Sequence, residues 1–257
     1  MSKVRYEVSA HVAQITMDSA PVNALSVAMI EEILSALKRA SADDDVRAIV
    51  LCSALPRRFC AGLDLSILQG ESGLAVHKFL EKLYIELADV HYNLGKPCIA
   101  AVDGAARAGG MTLCIQSNVI VAGESSTFGY PEIDVGMIPA IHFVHLPRIV
   151  GRHRAYEILF SGRAFGAQEA ATLGLVSRIV PDGQVLEAAL EMARMFAAKP
   201  PGVMKLGHAA FMRFNDNDYR RDIGSVVESF CTIAATEESR EGIRAFVEKR
   251  TPAWKQG

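Results

Sequence analysis

Polar and apolar residues alternate from Val4 to Val8 and from His11 to Met17, a two-residue period that predicts two strands of a hairpin. Asp18-Ser19-Ala20-Pro21 reads as a turn, and Ser26 as the N-cap of a helix. Met29, Ile30, Ile33, Leu34 and Leu37 then recur at helical spacing to about Ala40. Ser41 to Asp45 is an acidic loop ahead of a strand over Val46 to Cys52. A longer helix is predicted from about Ala75 to Asn93, with Phe79, Leu80, Leu83, Leu87 and Val90 on one face. Between that strand and helix, Gln69 to Gly73 has the composition of a mobile segment.

Cys98 to Val102 is a short apolar run between Pro97 and Asp103-Gly104, suited to a buried strand. Small residues follow to Gly110, then Met111 to Ile115 as a helix and Asn118 to Ala122 as a further strand. Ile141 to Val150, Arg154 to Phe160 and Ala167 to Leu173 read as helices, the last ended by Gly174. Val176 to Val180 is a strand stopped by Pro181-Asp182-Gly183. Beyond Val185 only helices are expected: Leu186 to Ala198, Val203 to Arg213, Asp218 to Ala235 and Glu237 to Lys249. The expected class is α/β, with a core over residues 1–198 and a helical region over 199–257.

Half of the 257 residues are apolar, enough for a sizeable core, and the formal net charge of −2 gives no electrostatic reason to expect nucleic acid or a membrane surface as partner. No apolar run approaches the roughly 18 residues of a membrane span. The N-terminal stretch has no signal-like apolar block. Cys52, Cys60, Cys98, Cys114 and Cys231 lack C-x-x-C spacing and read as thiols in a reducing compartment rather than as a disulfide or metal framework. A soluble, cytoplasmic protein without a metal is expected.

The chemistry concentrates in two small-residue bends. If a helix starts at Gly109-Gly110, its first N–H groups lack intrahelical acceptors and face a negative oxygen, aided by the helix dipole. Glycine there allows close approach by a ligand. A second bend, Phe59-Cys60-Ala61-Gly62-Leu63-Asp64-Leu65, also follows a strand-like run and precedes a helix-like one. Two such bends are able to aim two amides at one oxygen. Gly104-x4-Gly109-Gly110 lacks the Lys-Ser/Thr of a phosphate loop.

These bends, with Asn23-Ala24-Leu25-Ser26, Lys96-Pro97-Cys98-Ile99-Ala100-Ala101-Val102-Asp103-Gly104, Phe128-Gly129-Tyr130-Pro131-Glu132 and Gly174-Leu175-Val176, occur in one order across nearly the whole chain. In that ordered set the chain resembles the enoyl-CoA hydratase/isomerase, or crotonase, family. The resemblance implies a spiral of strand–strand–helix units with a C-terminal helical region that assembles trimers or dimers of trimers. It implies an acyl-CoA substrate, no separate cofactor, and an enolate oxygen held by two backbone amides, by position those of Ala61 and Gly109. CoA contacts are implied for Ala20 and Val22 ahead of Asn23, for Ala61, Gly62, Leu63 and Asp64, and for Gly109 and Thr112. Arg57 and Arg58 are candidates for the phosphates.

Family members carry a carboxylate at one or both of two positions, here Thr112 and Glu132. Only Glu132 is a carboxylate in this chain. Hydration of a double bond is a two-carboxylate task, whereas moving it from the 3- to the 2-position needs one base, so isomerisation is the simpler expectation. A threonine hydroxyl is able to hold a water but is no base near neutral pH. Glu132 as base requires apolar surroundings that raise its pKa, for which Phe128, Ile133 and Met137 are candidates. Hydration, decarboxylation, thioester hydrolysis and binding without turnover stay open. Asp64 reads as a helix cap, Asp134 as structural, and His142 and His145 stand where relatives carry a small glycine-containing turn.

Overall fold

The computed structural model describes residues 2–68 and 73–256. Of the segment expected to be mobile, residues 69–72 lie outside the described residues. β1 (Val4–Ser9) and β2 (Val12–Met17) form the expected antiparallel hairpin, Ser9 opposite Val12. Ala10 and His11 between them both have positive φ, the backbone that a tight hairpin turn requires. Helix α1 (Val27–Ala42) starts where Ser26 accepts a hydrogen bond from the Met29 amide at 3.3 Å, and it buries Met29, Ile30, Ile33, Leu34 and Leu37.

After α1 the chain lays strands alternately in two sheets. β3 (Ala48–Ser53), β5 (Cys98–Val102), β7 (Val119–Gly123) and β10 (Arg178–Val180) extend the hairpin into a six-stranded sheet, in the order β1-β2-β3-β5-β7-β10. β4 (Arg58–Cys60), β6 (Ala105–Arg107), β8 (Thr127–Gly129) and β9 (Ala164–Gly166) form a four-stranded sheet in that order. Apart from β1/β2 and β8/β9 the pairings are parallel. The first three turns each give one strand to each sheet and then a helical segment, the spiral that the resemblance implies, and in the last a helix, α7 (Ala167–Thr172), stands between β9 and β10.

The first of these crossings begins with a short 3₁₀ turn, Leu65–Leu68, followed by α2 (Gly73–Leu80) and α3 (Leu87–Tyr92). A wider π-type turn over Glu81–Glu86 joins the two helices, so the helix expected from Ala75 to Asn93 is continuous but unevenly wound. The next crossing is α4 (Gly109–Gln116), buried along its whole length.

Strand alternation divides the core. Ile49 and Leu51 of β3 face the main core beneath α1, whereas Ala48, Val50 and Cys52 face the other way. A stripe of Val185, Ala189, Ala193 and Ala197 covers that second face. It belongs to a helix that follows α5 (Ala140–Val150), α6 (Arg152–Ser161) and α7 (Ala167–Thr172), and is α8 (Val185–Ala197).

The end of the chain departs from expectation. The sequence predicts two helices separated at Phe214 to Asn217; the structure has one, α9 (Pro201–Ala234), followed by α10 (Glu237–Val247). The polar stretch Asn215-Asp216-Asn217 contains neither glycine nor proline to stop a helix, and the Asn215 side-chain Nδ2 donates back to Phe211 O at 2.8 Å. Tyr219, Ile223, Val226, Val227 and Phe230 of α9 are buried and belong to the main core. The apolar pattern in Asp218 to Ala235 is therefore used within the chain. Val203, Leu206, Phe211 and Phe214, nearer the start of α9, stay exposed.

Candidate active site

The first bend is tied down by Asn23, wholly buried and in the left-handed backbone region. Its Oδ1 accepts from the Ser19 amide at 2.8 Å, and its Nδ2 donates to Ser53 Oγ at 2.8 Å and Phe59 O at 3.0 Å. The turn holding Ala20 and Val22 is thereby strapped to the ends of β3 and β4. Ala20 is exposed and Val22 half-buried.

One expectation needs correction here. The Ala61 amide donates to Val22 O at 3.1 Å, so it is already spent on this strap. The next two hydrogen bonds are Leu25 N–H to Gly62 O at 2.8 Å and Asp64 N–H to Leu25 O at 3.2 Å. They form a parallel bridge between Leu25 and Leu63. In such a bridge the flanking groups of Gly62 and Asp64 face Leu25, so Leu63's own N–H points to the opposite side. It has no acceptor among the described residues. The free amide of this bend is that of Leu63, two residues beyond the expected one. Only the long-range pairing with Leu25 reveals this, and no local pattern carries that signal.

The second bend is built on Ala108, a non-glycine residue at φ 49° and ψ −117°. Its N–H donates to Gly129 O at 3.1 Å, and its carbonyl accepts from Met111 N at 2.8 Å and Thr112 N at 3.2 Å. Gly109 follows as the first residue of α4, with its amide unpaired among the described residues, as a helix start leaves it.

The two bends touch. A Cβ on Gly62, which has φ 97°, would lie 2.7 Å from Ala108 Cβ and 3.1 Å from Gly109 N. One on Gly110 would lie 2.4 Å from Cys60 O. Glycine at both positions lets backbone approach backbone. Leu63 also reaches the second bend, because a Cβ on Gly109 would meet its Cδ1 at 3.1 Å.

Glu132 comes from a short 3₁₀ turn, Pro131–Val135, that follows β8. The residue is partly exposed, but its Oε2 is buried and has no hydrogen-bond partner. Desolvation pushes the carboxyl up to about 8, only partly offset by its own amide. Burial raises the phenols of Tyr84 and Tyr130, and the Glu132 charge raises them further. Neither was singled out by sequence.

Thr112 and His142 are both 2 % exposed, with Thr112 Oγ1 3.4 Å from His142 Nε2. The His142 ring lies 4.4 Å from that of Tyr130. Burial depresses His142 to about 3, so the ring is neutral. Asp64 precedes the 3₁₀ turn at Leu65 and its carbonyl accepts from Ile67 N at 3.0 Å. Asp134 is exposed and pairs with Lys255 at 3.0 Å, and Arg57 pairs with Asp182 at 3.7 Å. All five cysteines are free thiols, four of them buried. No described helix is long and apolar enough to cross a membrane.

Among known proteins, a family model described as enoyl-CoA hydratase/isomerase matches residues 7–257. The 2,3-dehydroadipyl-CoA hydratase of Escherichia coli is 32% identical over 91% of this chain and 90% of its own. A solved enoyl-CoA hydratase/isomerase from Xanthobacter autotrophicus Py2 superposes with a TM-score of 0.86 at 29% identity, covering 97% of each chain. The human mitochondrial delta3-delta2-enoyl-CoA isomerase shares the fold, with a TM-score of 0.87 at 23% identity over 96% of this chain and 97% of its own.

Proposed function

Since the chain belongs to the enoyl-CoA hydratase/isomerase family, we propose that it moves the double bond of a 3-enoyl-CoA to the 2-position with Glu132 as its single base. The thioester carbonyl is held between the Leu63 and Gly109 amides. Glu132 takes a proton from C2, the resulting enolate oxygen is stabilised by the two amides, and the same carboxyl returns the proton at C4. Atoms balance without water or a cofactor. The carbonyl oxygen is more negative in the enolate than in the substrate, so fixed donors favour the reacting state. One such donor contributes about 2.7–4 kcal/mol.

The observation that carries this reading is the buried Glu132 Oε2, without a hydrogen-bond partner, on a carboxyl whose pKa is raised, in a chain that has Thr112 at the other carboxylate position. A base poised near 8 retains a proton affinity suited to an acidified C–H. Hydration of 2-enoyl-CoA is the second reading, favoured by the polar Thr112–His142 pair that is able to hold a water. Supplying purified protein with 3-enoyl-CoA and 2-enoyl-CoA in turn, with Glu132→Gln alongside, separates them. Isomerisation lost in the variant is expected; rapid hydration of the 2-enoyl thioester, or activity indifferent to the variant, refutes the first reading.

CoA contacts at Ala20, Val22, Gly62, Leu63, Asp64 and Thr112 belong to this proposal, as does a cytoplasmic setting, which the free thiols suit. So does the division into an acyl-CoA core over 1–198 and an associating region over 199–257. Exposed Val203, Leu206, Phe211 and Phe214 on α9 support association of copies of this chain, as homotrimers or paired trimers.

A further inference from the structure

Buried polar atoms in folded proteins are nearly always paired, and leaving one unpaired costs about 1–3 kcal/mol. Beside Glu132 this rule is broken more than once. Tyr130 is wholly buried and its hydroxyl has no partner. His142, packed on the Tyr130 ring, has Nε2 near Thr112 Oγ1 and an unpartnered, buried Nδ1. Thr112 lies one helical turn from the Gly109 amide on α4, and the Ala108 carbonyl that opens this helix also faces the His142 ring. The cluster therefore adjoins the reacting end of the proposed site on both sides, through Ala108–Gly109 and through Glu132. A wholly aliphatic acyl group would leave its hydrogen-bonding capacity unused.

The charge of the missing partner is limited by the surroundings. A carboxylate would be desolvated next to Glu132, and the nearest basic groups to the cluster offer little compensation. His145 faces His142 from the same helix but is itself half-buried and, by desolvation, depressed to about 4, with its ring against Tyr219. Arg148, one turn further, pairs with Asp222. What fits is an uncharged group that donates and accepts.

We propose that Tyr130 and His142, backed by Thr112, recognise a neutral hydrogen-bonding substituent, a hydroxyl in the first instance, on the acyl part of the thioester. This rests on the reading of the chain as an acyl-CoA enzyme, and its test is arranged so that the two fail separately. The binding arm compares hexanoyl-CoA with 5-hydroxy- and 6-hydroxyhexanoyl-CoA by calorimetry, with wild type and with Tyr130→Phe, a change that removes one oxygen and keeps the ring. At least one hydroxylated thioester is expected to bind about tenfold more tightly than hexanoyl-CoA. That preference should shrink severalfold in Tyr130→Phe and in His142→Leu. The turnover arm compares kcat/KM for the matching 3-hexenoyl-CoA compounds, with the same preference expected. Equal or weaker binding of both hydroxylated compounds, no binding of any of the three, or a preference untouched by Tyr130→Phe overturns the inference. Preferential binding with no turnover upholds it and sinks the isomerase reading instead.

Discussion

Replacing Glu132 by Gln tests the buried carboxyl through stability as well as activity. In the unfolded chain the carboxyl ionises near 4.5, and in the folded protein near 8. Below 4.5 both states hold the proton and ionisation adds nothing. Between the two values the unfolded state releases its proton while the folded state keeps it, so stability falls as pH rises and levels off above 8. At about 1.4 kcal/mol per pH unit the gap corresponds to at most about 5 kcal/mol, less where water reaches the partly exposed residue. Buried His91 and His142 and half-buried His145, depressed to about 4, 3 and 4, act in the opposite sense below about 6.5. The difference between wild type and Glu132→Gln cancels them. Urea unfolding of both proteins from pH 5.5 to 9 should show wild type losing several kcal/mol relative to the variant. In the same window wild-type kcat/KM should rise about tenfold per pH unit and level off near 8, because only the ionised carboxyl accepts the C2 proton. Parallel stability curves together with a flat activity profile would refute the buried-base argument.

Gly110→Ala puts a methyl group 2.4 Å from Cys60 O, so one bend must retreat from the other by about 1 Å. We expect kcat to fall about 100-fold, with a loss of about 1–3 kcal/mol in stability measured by urea unfolding. Thr112→Glu adds the second carboxylate, and the ratio of 2-enoyl-CoA hydration to 3-enoyl-CoA isomerisation, assayed side by side, should rise at least tenfold. Leu206→Asp with Phe214→Asp places charge on the exposed start of α9; if copies associate there as proposed, sedimentation should find trimers or larger for wild type and monomers for the variant.

Much of this was legible in the sequence. The hairpin, α1 with its Ser26 cap, and the apolar strands from Ala48 to Ser53 and from Cys98 to Val102 follow from periodicity and punctuation alone. Both bends and Glu132 were visible as residues. What escaped was long-range. The choice between the Ala61 and Leu63 amides is made by pairing with Val22 and Leu25, some 40 residues earlier, which local pattern does not encode. The sequence marks out His142 by its position, but its contact with Thr112 and its packing on the Tyr130 ring come only from the fold. The polar run at Asn215-Asp216-Asn217 looked like a turn because its residues favour turns, yet α9 continues through it, anchored beyond that run by Tyr219 and Ile223 in the core.

The most direct test follows the atoms. 3-Hexenoyl-CoA deuterated at C2 is converted in water enriched in oxygen-18, and the product is analysed by mass spectrometry and NMR. A single carboxyl that carries the proton from C2 to C4 predicts 2-hexenoyl-CoA with deuterium at C4 and no heavy oxygen. A product bearing oxygen-18 at C3, or hydrogen from solvent alone at C4, would contradict it.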